Sequence, residues 1–302
     1  MQRSSAHDIR ERLAVRRDPR TRVREEAMFF GPGSVKMFGY LRIPEGAVLG
    51  AVVVCPPIHE DFMRVYRKQV LLARALAARG LAVLGFHYRG TGNSEGEVQD
   101  LTYDGMLDDT RSAIRWLADR MGVGPGLVGI RWGGLMAAAA AKDSDAPMAL
   151  WEPTIDPDLY FREATRANTV WHVQEGLGGP SGMSFEEELR EHGSVDLLGY
   201  PVYLGLYETA GGHRLADELG DRPRPLLLVQ MTRNERLRDR YATLSRGLED
   251  KGFSVDGHVL EGEESWWFTG VRWEPEEGRT GTHELVSVTT DWVVHRGAER
   301  RP

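Results

Sequence analysis

The chain has 302 residues and a formal net charge of −7, with 41% apolar and 27% charged residues. That length and balance suffice for one α/β domain with an insertion, and the acidic surplus argues against nucleic acid as the main partner. No apolar run approaches the roughly 20 residues that span a bilayer, Met1 to Arg24 holds no signal-peptide stretch, and a lone cysteine, Cys55, excludes an internal disulfide and a multi-cysteine metal site. The expectation is a cytoplasmic protein with a small-molecule substrate, no cofactor, no metal and no membrane span; a homo-oligomer stays open.

Residues 1–24 read as a basic arm, with arginines clustered between Arg10 and Arg24. Ala27 to Phe30 and Lys36 to Ile43 predict a hairpin around Gly31-Pro32-Gly33, and Ala51 to Cys55 is an apolar run of the buried-strand kind. Arg64 to Arg79 is helical, with Val65, Leu72 and Leu76 near one face and a stop at Gly80. Leu81 to Phe86 is the next strand, Tyr103 to Arg120 a helix, and Leu127 to Ile130 and Met148 to Trp151 further strands. Strands separated by helices of this length predict a mostly parallel sheet with helices on both faces.

From Asp156 to about Arg222 no clean strand is legible, and Gly176 to Gly182 is glycine-rich. A mostly helical lid over the strand ends is expected there. Regular structure resumes with a strand at Pro225 to Gln230, a helix at Arg236 to Leu248, a strand at Val255 to Leu260 and a helix at His283 to Val294. The division is therefore an arm at 1–24, a core at 25–155 and 223–302, and a lid at 156–222.

The segment Gly126-Leu127-Val128-Gly129-Ile130-Arg131-Trp132-Gly133-Gly134, followed by Leu135 to Ala141, reads as strand, tight turn and helix. This is the layout of a nucleophile elbow, which holds its apex side chain exposed above a sheet. Serine, cysteine or aspartate at the apex can bond to carbon and leave again. Arg131 cannot, because its guanidinium stays protonated; it can bind or polarise an anion but not attack one.

With the elbow so placed, the order of elements resembles the α/β-hydrolase superfamily over about residues 25–296. Phe86-His87-Tyr88-Arg89-Gly90-Thr91-Gly92-Asn93-Ser94-Glu95-Gly96 is similar to a loop of serine-aminopeptidase-like members. Pro56-Pro57-Ile58-His59-Glu60-Asp61, the arginine elbow, Leu150-Trp151-Glu152-Pro153 and Gly262-Glu263-Glu264-Ser265-Trp266-Trp267 resemble the exosortase A system-associated hydrolase branch. That resemblance implies the α/β-hydrolase fold with a lid, and a specialised biosynthetic or envelope pathway.

The superfamily pattern puts an acid after the sixth or seventh strand and a histidine after the eighth. Here Thr232-Arg233-Asn234-Glu235 offers no aspartate, and Glu261 to Phe268 offers no histidine. His283 lies well beyond and opens the last helix, with Thr282 as its cap. All three triad positions read as vacant, which argues against a conventional serine hydrolase.

Several polar residues remain near the strand ends. Glu60 belongs to the loop from which the superfamily donates an oxyanion-hole amide, and facing the elbow it would make a two-pronged pair with Arg131. Such a pair is either structural, closing the vacant pocket, or functional, with Arg131 binding a substrate carboxylate or phosphate. His59 and His87 follow buried strands and are acid-base candidates, or hydrogen-bonded structural residues. Glu152 is a base if burial raises its pKa, although Pro153 argues equally for a turn. Tyr88, Arg89, Asn93 and Ser94 read as turn residues.

Trp132, Trp171, Trp266 and Trp267, with Ser265, either wall a site for an apolar small molecule or fill the core. Cys55, ending a buried strand, reads as inert. His59-Glu60-Asp61 is too contiguous to chelate one metal ion.

The leading expectation is a divergent enzyme acting on a small acyl-type or anionic organic substrate by isomerase, cyclase or lyase chemistry. His59, His87 or Glu60 would move the proton and Arg131 would bind the anion, in an enclosed polar pocket. One alternative is a binding or partner protein in which Arg131 and Glu60 seal each other beside a small or apolar cavity. The other is a residual ester or thioester hydrolase using Ser265 or Cys55.

Overall fold

Strand β1 (Arg12–Asp18) pairs antiparallel with β2 (Val23–Phe30), so the expected basic arm supplies a sheet edge. Its arginines suit that place, because charge on an edge strand discourages pairing with another chain. The computed structural model describes residues 12–176, 182–262 and 281–299. The predicted hairpin forms between β2 and β3 (Met37–Pro44), with Phe30 opposite Met37.

Strand and helix then alternate: β4 (Gly50–Cys55), α1 (His59–Ala78), β5 (Leu81–Phe86), α2 (Tyr103–Met121), β6 (Gly126–Ile130), α3 (Trp132–Ala140) and β7 (Met148–Trp151). Helix α1 starts at His59 rather than Arg64: apolar periodicity begins only at Val65, but Glu60 and Asp61 stabilise the positive end of the helix dipole. Thr102 caps α2 by accepting the Gly105 N–H, and Gly122 ends it in the left-handed conformation.

The segment between β7 and the next core strand comprises α4 (Pro157–Glu175), α5 (Phe185–His192), β8 (Ser194–Leu197), β9 (Tyr200–Tyr203), α6 (Leu204–Ala210) and α7 (Leu215–Glu218). It is mostly helical, but β8 and β9 form an antiparallel hairpin where no strand was expected. The Leu198-Gly199 turn between them lacks the asparagine, aspartate or glycine usual at its first position, so the sequence carries no hairpin signal there. The core resumes with β10 (Pro225–Thr232), α8 (Asp239–Glu249), β11 (Ser254–Glu261) and α9 (Thr282–Glu299).

The nine-stranded sheet has the order β1-β2-β3-β5-β4-β6-β7-β10-β11. Pairings from β5 through β11 are parallel, and those from β1 to β3 and onto β5 are antiparallel. Both faces of the central strands are dry. Tyr103, Met106, Leu117 and Leu135 from α2 and α3 cover one face, while Val65, Leu72 and Leu76 of α1 and Leu285 and Val293 of α9 cover the other. Adjacent Glu25 and Glu26 of β2 point to opposite faces and tie a helix to each: Glu25 Oε1 lies 2.7 Å from Arg74 Nε of α1, and Glu26 Oε2 lies 3.2 Å from Arg120 Nη2 of α2. The carboxyl ends of β4, β6, β7 and β10 are thereby fixed side by side.

Candidate functional site

The turn from β6 to α3 closes so tightly that only glycine fits on either side of its apex. A Cβ on Gly133 would lie 2.1 Å from the Cys55 carbonyl oxygen and 2.5 Å from that of Pro56, and one on Gly129 would lie 2.5 Å from Gly134 Cα. Arg131 at the apex has φ 53° and ψ −118°, a conformation that costs a side-chain-bearing residue energy. Its N–H donates to the Trp151 carbonyl at 3.0 Å, and its own carbonyl accepts from Thr154 N–H at 2.9 Å. His59 (φ 52°) and Glu152 (φ 37°) share this strain, so three non-glycine residues at positive φ follow neighbouring strands β4, β6 and β7. Backbone strain of this kind clusters at active sites and ligand clamps of folded proteins, which makes these strand ends the candidate site.

The Arg131 side chain is 4% exposed. Its Nε donates to Asp61 Oδ2 at 3.2 Å, its Nη1 donates to the Glu152 carbonyl at 3.1 Å, and its Nη2 lies 4.0 Å from Glu163 Oε2. Asp61, not Glu60, is thus the partner of Arg131, correcting the expected pair. Consecutive helical residues point about 100° apart, and Glu60 turns instead to Arg64, its Oε1 2.6 Å from Arg64 Nε. Glu60→Ala therefore removes only a partly exposed i,i+4 pair and should cost less than about 0.5 kcal/mol in denaturant unfolding. A loss several times larger would restore Glu60 to the structural core of the site.

Burial raises the Asp61 carboxyl to about 6, against the opposing pull of Arg131. Burial also disfavours the Arg131 charge, but Asp61 and neighbouring anionic groups outweigh it and hold the guanidinium above its usual range. The guanidinium stays charged, and Asp61 is the member of the pair that titrates. The folded state takes up this proton near pH 6 and the unfolded chain near 3.8, so the group adds stability as pH falls from 7 toward 4. Unfolding free energies of the wild type and Asp61→Asn should accordingly diverge by up to about 2–3 kcal/mol between pH 7.5 and 4.5, in the wild type's favour. A constant difference would place the Asp61 pKa in its ordinary range.

A cavity of about 330 Å³ opens above this pair. Its polar lining includes His59, Glu60, Asp61, Arg131 and Glu163; Ala164, Ala167 and Val170 of α4 and Leu197 and Leu198 at the end of β8 give it an apolar side. Desolvation lowers the His59 pKa to about 4, leaving a neutral imidazole at pH 7, and its buried Nε2 has no hydrogen-bond partner among the described residues. Tyr160, also lining the cavity, is buried, and burial pushes its hydroxyl pKa upward.

The other expected residues lie elsewhere. His87 does not share this cavity: it sits among Phe38, Tyr40, Phe62 and Tyr66, and its Nδ1 accepts the Asn93 N–H at 3.0 Å. Desolvation lowers its pKa to about 4, and Ser94 holds its carbonyl. Trp132 is wholly buried against Tyr160 and Phe161, and so fills core rather than walling the pocket. Trp171 is half-buried beside His172 on α4, away from the lining. Glu152 is also buried behind the site: Oε1 accepts the Met231 N–H at 2.8 Å, joining the end of β7 to β10. Cys55 is buried, which raises its thiol pKa. Ser265, Trp266 and Trp267 lie outside the described residues.

Asp61, Tyr160, Glu163 and Arg166 were not anticipated from the sequence. For Asp61 a signal existed. The buried stripe Leu76, Leu72 and Val65, extended back by one turn, reaches Asp61 and not Glu60. Among the described residues no helix is long and apolar enough to cross a membrane, and no cluster of three or more metal-ligating side chains is present.

A family model described as X-Pro dipeptidyl-peptidase (S15 family) matches residues 5–195, more than half of the chain. No curated protein matches the chain. Among solved structures, Est1E from Butyrivibrio proteoclasticus with bound ferulic acid superposes with a TM-score of 0.64 at 16% identity, covering 90% of this chain and 100% of that one. An esterase from Pyrococcus furiosus gives a TM-score of 0.58 at 13% identity, covering 94% of this chain and 96% of that one. A dienelactone hydrolase from Anabaena variabilis gives 0.56 at 16% identity, covering 91% and 99%. The fold is the α/β-hydrolase fold.

Proposed function

The chain belongs to the X-Pro dipeptidyl-peptidase (S15) family, and from that premise we propose an enzyme that has left its family's covalent chemistry for proton transfer on a small acyl-type organic substrate. The observation that carries this reading is the Asp61 carboxyl, lifted to about 6 at a cavity whose elbow apex is occupied by Arg131. A carboxyl tuned toward neutral pH can both take and return a proton. Arg131 supplies fixed positive charge beside it but no attacking atom. His59 contributes a neutral imidazole at the same cavity. The reaction class is isomerisation, cyclisation or elimination next to an acyl group.

Engagement of Arg131 by Asp61, the Glu152 carbonyl and Glu163 favours a second reading, a binding protein that retains the fold without the reaction. Two measurements separate the readings. A fluorophosphonate should leave the intact mass of the native protein unchanged; an adduct absent from heat-denatured protein would restore a covalent hydrolase and locate its nucleophile. Incubation with a panel of acyl carboxylates in D₂O should introduce deuterium next to the acyl group, read by NMR, and Asp61→Asn should abolish it. Ligands that bind without exchange would establish the binding protein.

A further inference from the structure

The charges around the cavity do not cancel pairwise. Glu60 is paired with Arg64, Asp61 with Arg131, and Glu163 Oε1 lies 2.7 Å from Arg240 Nη1. Two further cations line the cavity, Arg238 and Arg166; Arg166, on the same face of α4 as Glu163, is exposed and has no ion pair among the described residues. Residues 163, 166, 167 and 170 recur at the spacing of one helix face, so the free guanidinium stands beside the small Ala167 and the apolar Val170.

Opposite lies the β8–β9 turn. Leu197 pairs with Tyr200, leaving a two-residue loop in which Leu198 (φ 60°) and Gly199 (φ 85°) both take positive φ. Asparagine, aspartate or glycine is usual at the first of these positions. Leucine is held there by Asn168 of α4, whose Oδ1 accepts the Leu198 N–H at 3.0 Å and whose Nδ2 donates to the Asp196 carbonyl at 3.2 Å. The clasp keeps an apolar side chain in the cavity lining. The cavity volume, about 330 Å³, is at the lower end of the range that holds small organic ligands, about 300–1,000 Å³.

We infer that the cavity takes a singly charged amphipathic carboxylate, its chain lying between α4 and Leu198 and its anionic end meeting Arg166. Arg131, whose guanidinium is already engaged, provides the polar floor instead of the anion contact. This inference rests on the cavity being the ligand site, and it names the ligand class that site would select.

The test is calorimetric binding of straight-chain carboxylates of four to ten carbons, each beside its neutral amide, to the full chain. The wild type should prefer each carboxylate by roughly three- to fivefold, the scale of an exposed ion pair, with the preference falling as salt rises. Arg166→Gln should abolish the preference and leave amide binding unchanged. Leu198→Asn suits the turn, so folding is kept, and it should weaken carboxylate and amide alike. Equal binding of carboxylate and amide by the wild type, or a preference that survives Arg166→Gln, would overturn the role of Arg166 while leaving the cavity a ligand site. Binding of neither series would remove the cavity as the ligand site, and this inference with it.

Discussion

Arg131→Ser should produce no esterase turnover and should lower folding stability by about 3–5 kcal/mol at pH 8. The stability loss arises because Asp61 is 5% exposed and would lose both the charge and the hydrogen bond that now oppose its desolvation. With Arg131 gone, the Asp61 pKa must rise above its present value of about 6. The penalty is therefore largest where the wild-type carboxyl is ionised and shrinks toward pH 5, where it is protonated with or without Arg131. Denaturant unfolding at the two pH values measures this, and an equal loss at both would show that Asp61 does not sense Arg131. Turnover is expected to stay absent because a hydroxyl at the apex attacks only with a histidine base held in place by an acid. The sequence supplies neither at its expected position. Hydrolysis of p-nitrophenyl esters by this single variant would reveal such a pair.

Gly133→Ala should cost more than about 4 kcal/mol, enough to threaten folding of an ordinary domain. The added methyl would meet two backbone carbonyl oxygens, of Cys55 and Pro56, at 2.1 and 2.5 Å. Backbone at the end of β4 cannot rotate aside as a side chain can. Gly124→Ala is the control: nothing lies within 4 Å of its added methyl, and its φ is not positive. Comparable melting temperatures for the two variants would mean that α3 can slide away from β4, and the elbow would then be far less rigid than its packing implies.

The strand-helix alternation was legible because each central strand is buried on both faces, so its apolar run is nearly unbroken. The elbow was legible for a related reason: glycines at 129 and 133 beside a bulky apex report a steric constraint that acts over a few residues. The β8–β9 hairpin was not legible, since Leu198-Gly199 lacks the usual turn residue and owes its conformation to Asn168 on another element. Strand β1 was hidden by its arginines, which look like a solvated arm until the neighbouring strand is in place.

The partner of Arg131 shows where local reasoning stops. A carboxylate near the elbow could be anticipated from the Glu60-Asp61 run, but helix phase and the packing of α1 on the sheet select Asp61. His87 looked equivalent to His59 because both follow a buried strand, yet the Gly90 to Gly92 turn folds His87 into an aromatic surround, with Gly92 so close that a Cβ there would lie 2.4 Å from His87 Nδ1.

The layered α/β architecture, a mostly helical segment after β7 and an arginine at the apex of the β6–α3 turn are legible in the sequence, because periodicity, glycine sterics and residue identity are local properties. That Asp61 meets Arg131, that His87 stands apart and that Arg166 lines the cavity without an ion pair among the described residues follow from the folded arrangement, because burial and ion pairing depend on which distant segments share a space.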